Sequence, residues 1–243
     1  MNSGQALSRS KDDKDQSMKI AALIPAKGFT DAKQRLASLL DAGERAALAE
    51  SMLRDVLHET LAARGLDAVY VVTCDAEVRK IAASLGATVI VEQEEKGETE
   101  AVTFALLDIK WRGVQAAVVI PADIPLLRAG DIELVIEQIA KHDGVSPFAL
   151  LVPSHDRMGT NALLLSPPNV IGLRFGYDSF SYHLSQVAAK EMPLRVLENE
   201  RIALDIDEPQ DLERFLQSGG GPGESYTRVM EMKSAAARRV GEA

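Results

Sequence analysis

The sequence predicts an α/β fold in which a mostly parallel sheet is flanked by helices, and three observations support this class. Short apolar runs alternate with helix-length segments from Ile20 onward. The runs are apolar on both faces, which is typical of parallel strands covered by helices. The chain has 243 residues, 46% of them hydrophobic, which is enough for one sizeable core. The alternation predicts right-handed β-α-β connections within one sheet.

The first half of the chain contains the regular part of this pattern. The predicted strands are residues 20–27, 68–74, 88–93 and 116–123. The predicted helices are residues 41–63, 76–86, 98–111 and 129–142. Asp41 is placed to cap the first helix and Gly65 to end it, because Asp is favoured before a helix and Gly after one. These elements are expected to build the parallel part of the sheet.

The second half is less regular. Two strand-like runs, residues 148–154 and 162–168, lie close enough in sequence to pair. The remaining predicted elements are a helix at 178–190, short strands at 194–199 and 203–207, and a closing helix at 208–217. We therefore expect one domain, residues 18–218, between two extensions. Residues 1–17 are expected to be a disordered tail, and residues 219–243, which open near a glycine cluster, a flexible extension.

The composition of the chain argues against several kinds of partner and location. The formal net charge of -9 argues against nucleic acid and anionic membrane as partners. No apolar run reaches the roughly 18 residues of a transmembrane helix, and the first residues lack the apolar segment of a signal peptide. A single cysteine, Cys74, excludes an internal disulfide framework and suits a reducing compartment. Together these features predict a cytoplasmic protein.

A carboxylate follows the fourth predicted strand, in a turn that contains two prolines. Asp123 lies at the carboxyl end of that strand, where open α/β sheets bind ligands. Asp205 and Asp207 form a second acidic point, because residues two apart in a strand face the same way, about 7 Å apart. Three carboxylates brought together need a cation, and oxygen ligands favour Mg²⁺ or Mn²⁺ over Zn²⁺. The alternative stays open that Asp123 caps the next turn and Asp207 the closing helix.

Three cations follow the first predicted strand. Lys27, Lys33 and Arg35 lie in the loop after it, where α/β nucleotide-binding proteins commonly hold phosphates. The loop has neither a P-loop pattern nor a dinucleotide-binding glycine pattern. Lysines acting as point charges, with an arginine as a fork, would hold a polyphosphate. The alternative is an ordinary solvated basic loop.

A third group of polar residues lies in the second half. Thr160 and Asn161 precede a predicted strand, so their side chains are expected at its mouth. Gly176 and Ser179 precede a predicted helix, whose first N–H groups and a small hydroxyl would bind an anion. The alternative is that Ser179 is a plain helix cap. The four histidines lack ligand spacing, and no Ser-His or Cys-His arrangement indicates a nucleophile.

Five segments occur in order between about Ile20 and Leu216: IPAKGFTDAKQRL, PADIPLL, GTNALLL, RFGYDSFSYHL and ALDIDEPQDL. Each segment is weakly informative alone, whereas the ordered set is specific. The set resembles the CofC/FbiD family, the guanylyltransferases of coenzyme F420 biosynthesis. The resemblance implies a single-domain, Rossmann-like fold of the GT-A nucleotidyltransferase type.

The resemblance also implies a reaction, the transfer of GMP from GTP to the phosphate of a small phosphorylated carboxylic acid. The acceptor is 2-phospho-L-lactate in archaeal members, phosphoenolpyruvate in many bacterial ones and 3-phospho-D-glycerate in a few. The alanine-rich composition of this chain favours phosphoenolpyruvate. Because such an acceptor is already anionic, the reaction needs no general base. A homodimer and contact with the next enzyme of the pathway both stay open.

The resemblance assigns roles to residues by motif. Mg²⁺, or Mn²⁺ in its place, would be held by Asp123, Asp205 and Asp207. The acceptor would be bound by Thr160, Gly176 and Ser179. The resemblance places Lys27 near phosphate, and the position of Lys27, Lys33 and Arg35 in the loop after the first strand predicts that they bind the nucleotide. Lys27 and Asp123 are the residues expected to carry the catalytic step itself.

The chain departs from the family pattern in the segment GETEAVTFAL, residues 97–106. Many family members carry a GLNAAL-like segment there, and Glu98 and Thr99 replace its leucine and asparagine. If this segment contacts the nucleotide, the replacement affects the choice of base or the activity itself. Two other functions stay open. One is a metal-dependent glycosyltransferase, which would also carry an acidic Asp-x-Asp, although typically after a mid-sheet strand. The other is a catalytically inactive nucleotide-binding module.

Overall fold

The computed structural model describes residues 18–142, 146–219, 221 and 223–241, with side chains to residue 235. The tail expected at residues 1–17 lies outside the described residues. Seven strands form one sheet: β1 (Ile20–Pro25), β2 (Ala68–Thr73), β3 (Thr88–Val91), β4 (Ala116–Val119), β5 (Phe148–Pro153), β6 (Thr160–Ser166) and β7 (Leu194–Val196). Their order across the sheet is β3-β2-β1-β4-β6-β5-β7. Of these strands β6 alone runs against its neighbours, so the expected mostly parallel sheet is confirmed.

Seven α-helices accompany these strands in the described part of the chain. They are α1 (Ala42–Ala62), α2 (Ala76–Leu85), α3 (Glu98–Trp111), α4 (Ala129–Lys141), α5 (Ser179–Ala189), α6 (Pro209–Gln217) and α7 (Glu224–Gly241). A short 3-10 helix spans Gln34–Leu36. The expected helices of the first half agree with α1 to α4 to within a residue or two. Asp41 caps α1 in a reciprocal capping box with Glu44, as the sequence predicts.

The sheet is buried on both faces, which is why its strands read as continuous apolar runs. Successive residues of β1 alternate between the two layers. Ala22 and Ile24 pack in the cluster that contains residues of α1, α2 and α4, whereas Ala21 and Leu23 pack with residues of α3 and α5. The strand order reverses between β1 and β4, and loops that follow such a reversal form the ligand crevice of open α/β sheets.

The segment 203–207 differs from its prediction. It forms no strand, and the backbone N–H of Ile206 donates instead to the carbonyl of Asp123 (3.0 Å). This hydrogen bond joins the segment to the loop after β4. Asp205 and Asp207 therefore reach the carboxyl edge of the sheet through a loop–loop contact rather than through strand pairing.

The expected flexible extension at residues 219–243 is wrong for the described part of that segment. Residues 224–241 form α7, which packs along α1. Val229 and Met232 are buried there in a cluster with residues of α1 and α6. Asp55 of α1 accepts hydrogen bonds from the N–H groups of Glu224 and Ser225 at the start of α7. The helix is thus capped from a distant part of the chain, which its own sequence does not reveal.

Within the described residues, no helix is both long enough and apolar enough to cross a membrane.

Candidate active site

Two cavities meet at the carboxyl ends of β1 and β4. The first, of about 690 Å³, is lined by the loop after β1, including Lys27 and Lys33. The second, of about 610 Å³, is lined by the start of β6, the loop before α5 and the loop before α6. Both cavities share the residues Arg35, Glu98, Pro121, Asp123 and Asp207. A molecule in one cavity would therefore face a molecule in the other across these side chains.

Lys33 lines the first cavity and contacts two of the shared side chains. Its Nζ lies 2.6 Å from Asp123 Oδ2 and 2.8 Å from Asp207 Oδ1, and its side chain is only 9% exposed. Burial alone would lower the pKa of Lys33, but the attraction of Asp123 and Asp207 outweighs burial and holds that pKa above its ordinary value. Lys33 is therefore a permanent cation between two carboxylates.

The two acidic points respond differently to this arrangement. Burial would raise the pKa of Asp207, but Lys33 and then Arg35 hold it below its ordinary value. No cation among the described residues pairs with Asp205, which accepts a hydrogen bond from Asn161 Nδ2 (2.9 Å). Burial, together with the charge of Asp123, raises the pKa of Asp205 to about 6. The negative charges of Asp123 and Asp207 thus act on Asp205, which is the repulsion among three carboxylates that the sequence analysis expected.

The helix-cap alternatives fail for both acidic points. The residue before α4 is Arg128 and the residue before α6 is Glu208, and their backbone N–H groups donate to the carboxylates of Asp131 and Asp211. The carboxylates of Asp123 and Asp207 contact Lys33 instead. Their position is therefore not explained by helix termination.

The side chains at this boundary can be compared with the ligands that a divalent cation needs. Among the described residues, no three His, Cys, Asp or Glu side chains already converge on one point. Asp123, Asp205 and Asp207 nevertheless all line the second cavity and offer only oxygen atoms as metal ligands. The ammonium group of Lys33 already lies between two of these carboxylates, Asp123 and Asp207. This chemistry fits Mg²⁺ or Mn²⁺ better than a softer metal. The assignment of Asp123, Asp205 and Asp207 as ligands stays a prediction.

A buried network orients Thr160 at the second cavity. His183, which is fully buried on α5, accepts a hydrogen bond at Nε2 from the backbone N–H of Arg174 (3.3 Å). Burial, and then the charge of Arg174, lowers the pKa of His183 to about 4, so the ring is neutral at pH 7. In a neutral ring whose Nε2 accepts, Nδ1 carries the proton and donates to Thr160 Oγ1 at 3.0 Å. The hydroxyl hydrogen of Thr160 is consequently free to be donated to a ligand.

Ser179 has a different role from the one expected. It is the first residue of α5 rather than a cap, and its hydroxyl accepts from the backbone N–H of Thr160 (3.1 Å). The first two N–H groups of α5 are also occupied, since Ser179 donates to the carbonyl of Gly176 and Phe180 to that of Met158. The expected anion site made of free amides at this helix start is therefore wrong for these two amides. Ser179 instead fixes the position of Thr160.

Gly176 lines the second cavity, but not because a side chain would collide there. An added Cβ at this position would have open space around it. The backbone has a φ of 93°, which side-chain-bearing residues rarely adopt. Glycine is thus required by the turn that leads into α5, and the turn leaves the cavity wall open.

The other predicted cations lie at the rim. Lys27 lines the first cavity with a side chain that is 60% exposed and lies 3.7 Å from Glu95 Oε1. Arg35 is 69% exposed, and its Nη1 lies 3.9 Å from Asp207 and 3.6 Å from Glu208. Because the side chains of Lys27 and Arg35 are exposed, they can rotate to contact a polyanion in the cavity. Of the three predicted cations, only Lys33 is locked in place.

The sequence reasoning assigned no role to His183 and left that of Glu98 undefined. His183 follows Ser179 by four residues, a helical spacing that places both on one face of α5, and this spacing was the available signal. Glu98 lines both cavities, where burial and the charge of Asp123 raise its pKa to about 7. Thr99 accepts a hydrogen bond from the N–H of Phe175 (2.9 Å), which joins α3 to the loop before α5.

Comparison with known proteins gives a consistent result. The sequence profile described as "Guanylyl transferase CofC like" matches residues 19–239. A phosphoenolpyruvate guanylyltransferase of Rubrobacter xylanophilus is 37% identical over 84% of this chain and 96% of its own length. A 2-phospho-L-lactate guanylyltransferase of Methanothermobacter thermautotrophicus is 31% identical over 84% of this chain and 87% of its own. A 3-phospho-D-glycerate guanylyltransferase of Phenylobacterium zucineum is 34% identical, over 78% and 86%.

Solved structures show the same fold at low sequence identity. A protein of Desulfovibrio desulfuricans G20, assigned as a nucleotide-diphospho-sugar transferase, superposes with a TM-score of 0.72 at 18% identity, over 90% of this chain and 96% of its own. A cytidylyltransferase of Leptospira borgpetersenii superposes with a TM-score of 0.58 at 14% identity, over 93% and 96%. These neighbours confirm the expected GT-A-like nucleotidyltransferase fold.

Proposed function

The chain belongs to the CofC-like family of guanylyltransferases, and we propose that it transfers GMP from GTP to phosphoenolpyruvate in coenzyme F420 biosynthesis. The observation that carries this proposal is the pair of cavities that share Asp123 and Asp207, both of which are ion-paired with Lys33. Nucleotidyl transfer needs two anionic substrates held in line on either side of one charged boundary. The two cavities supply that arrangement.

The first cavity is the proposed GTP site. It follows β1 at the point where the strand order reverses, the position that suits a nucleotide in an open α/β sheet. Lys27 and Arg35 are exposed at its rim, and Lys33 lies at its inner end. These three cations would neutralise the triphosphate, with the α-phosphate nearest to Lys33.

The second cavity is the proposed acceptor site. Thr160 has a free hydroxyl hydrogen because His183 donates to its oxygen, and a phosphate or carboxylate oxygen would accept that hydrogen. Ser179 holds the backbone of Thr160 in place, and the turn at Gly176 keeps the wall open. The acceptor would lie beside the carboxylates that separate it from GTP.

The reaction requires no protein nucleophile. An oxygen of the acceptor phosphate attacks the α-phosphorus of GTP, a new P–O bond forms, and the bond to the β-phosphate breaks to release pyrophosphate. The attacking oxygen is already anionic, so no proton has to be removed. Mg²⁺ held by Asp123, Asp205 and Asp207 would supply charge neutralisation between the two phosphates. Lys33 keeps a positive charge at the same boundary.

Phosphoenolpyruvate is the proposed acceptor because relatives of that activity match this chain at up to 37% identity. Relatives that use 2-phospho-L-lactate or 3-phospho-D-glycerate match at 31% and 34%. All three acceptors carry a phosphate next to a carboxylate-bearing carbon chain. The proposed contact of Thr160 is with the phosphate or carboxylate that the three acceptors share, so the choice among them rests on the relatives.

The test is an assay of pyrophosphate release by the purified full chain. GTP and Mg²⁺ are supplied with each of the three acceptors in turn, and with ATP in place of GTP. We expect the fastest release with GTP and phosphoenolpyruvate, and we expect Asp123→Asn to abolish it while the circular dichroism spectrum is unchanged. Faster release with another acceptor would correct the acceptor alone. Absence of release with all three would contradict the proposed function, and hydrolysis or transfer from a nucleotide-sugar would support the glycosyltransferase alternative.

A further inference from the structure

One arginine of the second cavity has an unpartnered edge on its guanidinium group. Arg214, on α6, lines that cavity, and its side chain is 51% exposed. Its Nη1 donates to His155 Nε2 and lies 3.6 Å from Asp211 Oδ1. Its Nε and Nη2 groups have no partner among the described residues. These two groups form the edge by which an arginine binds a carboxylate or a phosphate through two parallel hydrogen bonds.

The pattern of α6 places Arg214 at the cavity. Asp211 and Arg214 are three residues apart, so they lie on one side of the helix, and both line the cavity. Leu212 and Phe215 are buried in the cluster that packs against other parts of α6. Asp211 is itself fixed, because its Oδ2 accepts from the backbone N–H of Glu208 (2.8 Å). The arginine therefore extends from a packed helix and lies beside a fixed carboxylate.

The wall of the second cavity is predominantly acidic, which is unfavourable for an anionic acceptor. Among its described lining residues, acidic side chains outnumber basic ones, and the arginines are Arg35 and Arg214. Arg35 also lines the first cavity, and its Nη1 lies 3.9 Å from Asp207 and 3.6 Å from Glu208. A molecule that carries a phosphate and a carboxylate has at least two negative charges at pH 7, which the acidic wall would repel. Arg214 is the lining arginine that the first cavity does not share.

The reaction indicates which anionic group of the acceptor meets Arg214. This step rests on the proposed function, in which an oxygen of the acceptor phosphate attacks the α-phosphorus of GTP. The phosphate must then lie at the boundary where both cavities share side chains such as Asp123. Arg214 is not one of the shared side chains. The carboxylate, which is the other anionic group of the acceptor, would therefore be directed toward Arg214.

We propose that Arg214 binds the carboxylate of the acceptor through its Nε and Nη2 groups. The acceptor is then held at two points, with its phosphate at the boundary beside Asp123 and its carboxylate at α6. Two fixed points orient the attacking oxygen toward the α-phosphorus better than one, because they restrict rotation of the acceptor. A phosphate monoester without a carboxylate would be held at the boundary alone and would bind more weakly.

The first test compares Arg214 with a matched arginine that lines neither cavity. Arg228 on α7 is 46% exposed and pairs with Glu231 three residues away, the spacing between Arg214 and Asp211. We expect Arg214→Gln to raise the acceptor KM about tenfold, the loss typical of one charge-assisted contact, and to change the GTP KM little. Arg228→Gln should change neither KM. Arg214→Lys keeps the charge without the two-bond edge and should recover only part of the affinity.

The measurement is pyrophosphate release by the full chain, with each substrate varied separately and with the acceptor that the wild-type chain uses fastest. An unchanged acceptor KM in Arg214→Gln, beside an active wild-type chain, overturns this inference and leaves the proposed function standing. A rise confined to the GTP KM also overturns it, because Arg214 would then act on the nucleotide. A wild-type chain that is inactive with all three acceptors contradicts the proposed function itself, and the inference falls with it.

A second test asks whether Arg214 binds the carboxylate rather than the phosphate. 3-Phospho-D-glycerate and glycerol 3-phosphate differ only in that the first has a carboxylate where the second has a hydroxymethyl group. Their binding to the full chain is measured by calorimetry, with Mg²⁺ and a GTP analogue whose α,β-bridging atom is a methylene carbon, so that no transfer occurs. We expect the wild-type chain to bind 3-phospho-D-glycerate about tenfold more tightly, and we expect Arg214→Gln to bind the two almost equally.

The ratio of the two affinities is measured on one preparation, so partial unfolding of the Arg214→Gln variant would not change it. A variant that keeps the wild-type ratio does not distinguish the carboxylate through Arg214, and this result overturns the proposal. Equal weakening of both ligands would show that Arg214 binds the phosphate, and a wild-type ratio near one would show that no residue selects the carboxylate. Either result also overturns the proposal.

Discussion

Thr160 shows how a buried histidine can prepare a hydroxyl for a ligand. His183 donates to Thr160 Oγ1 because its other nitrogen accepts from the backbone N–H of Arg174. With its oxygen engaged in this way, the Thr160 hydroxyl has one hydrogen left, and its backbone is held by Ser179. The Thr160 hydroxyl is therefore held in one orientation as a hydrogen-bond donor before the acceptor substrate binds. This lowers the entropy cost of binding that substrate.

The first prediction concerns this donor. Thr160→Val keeps the shape of the side chain and removes the hydroxyl, so we expect the acceptor KM to rise severalfold while the GTP KM changes little. Thr160→Ser restores the hydroxyl and should recover most of the affinity. The measurement is steady-state pyrophosphate release with each substrate varied separately. A rise confined to the GTP KM would show that the two cavities have been assigned the wrong way round.

Lys33 is the other residue whose contacts define the site. Its ammonium lies between Asp123 and Asp207, and its backbone has a φ of 51°, a left-handed conformation that is uncommon outside glycine. The two ion pairs hold the side chain toward the sheet edge rather than toward solvent. A residue in this position neutralises charge at the boundary between the cavities.

The second prediction follows from that position. Lys33→Met removes the cation and leaves Asp123 and Asp207 facing each other, so turnover should fall about 100-fold, the scale at which a charge-stabilising group is lost from an active site. The pKa of Asp207 should rise at the same time, since Lys33 is what holds it down. Lys141→Met removes an exposed lysine at the end of α4 and serves as the control. Equal activity of the two variants would contradict the role of Lys33.

At the scale of elements, α7 depends on α1 more than on its own sequence. Asp55 accepts the N–H groups of Glu224 and Ser225 and also the hydroxyl of Ser225, and the side chain of Asp55 is buried. Val229 then enters the cluster beside Phe215. A carboxylate at the start of a helix accepts hydrogen bonds from the free N–H groups there and interacts favourably with the positive end of the helix dipole.

The third prediction tests this docking. Asp55→Ala should reduce the free energy of unfolding by about 2 kcal/mol, because it removes a charged cap and leaves buried amides without a partner. Glu50→Ala, on the same helix, removes an ion pair with Arg54 and should cost less than about 1 kcal/mol. Urea denaturation of the full chain gives both values. Equal losses in the two variants would show that Asp55 does not anchor α7.

At the scale of the whole molecule, the sequence predicted the sheet and the place of the site for one reason. Buried parallel strands are continuous apolar runs, and the loops that follow β1 and β4 were expected at the carboxyl ends of such strands. That β1 and β4 are neighbours, and that Lys33 pairs with Asp123, is shown by the structure and was not predicted. The details depend on contacts that have no periodic signal. Ile206 reaches Asp123 through a single loop–loop hydrogen bond.

The same limit explains why α7 was missed. Few apolar residues are buried among its described side chains, to residue 235, and the cluster that covers them includes Leu48 and Met52, far away in the chain. The glycines that precede α7 are typical of linkers, yet Gly219 and Gly221 adopt left-handed backbone conformations in a turn. Local composition therefore suggested a flexible end where tertiary packing makes a helix.

Two buried groups, His183 and Asp205, are expected to change the free energy of unfolding in opposite directions as the pH falls. His183 has a pKa of about 4 in the fold against 6.5 in an unfolded chain, so its contribution to stability is present above pH 6.5 and is lost as the pH falls toward 4. Asp205 has a pKa of about 6 against 3.8, so burying its ionised form destabilises the fold above pH 6, and this penalty is relieved as the pH falls. Between pH 6.5 and 4 the two effects oppose each other.

The fourth prediction separates these effects by removing one group at a time. In the wild-type chain the buried neutral His183 should make the free energy of unfolding fall by up to about 3 kcal/mol between pH 6.5 and 4. His183→Gln should abolish this fall, so the variant gains stability relative to the wild-type chain on acidification. Asp205→Asn keeps an oxygen for Asn161 but cannot titrate, so it should lose stability more steeply than the wild-type chain over the same range. Urea unfolding in EDTA at pH 7, 6, 5 and 4.5 measures both slopes without a bound metal. Parallel curves for all three proteins would mean that neither group changes its protonation on unfolding, and would contradict the neutral His183 on which the free hydroxyl hydrogen of Thr160 depends.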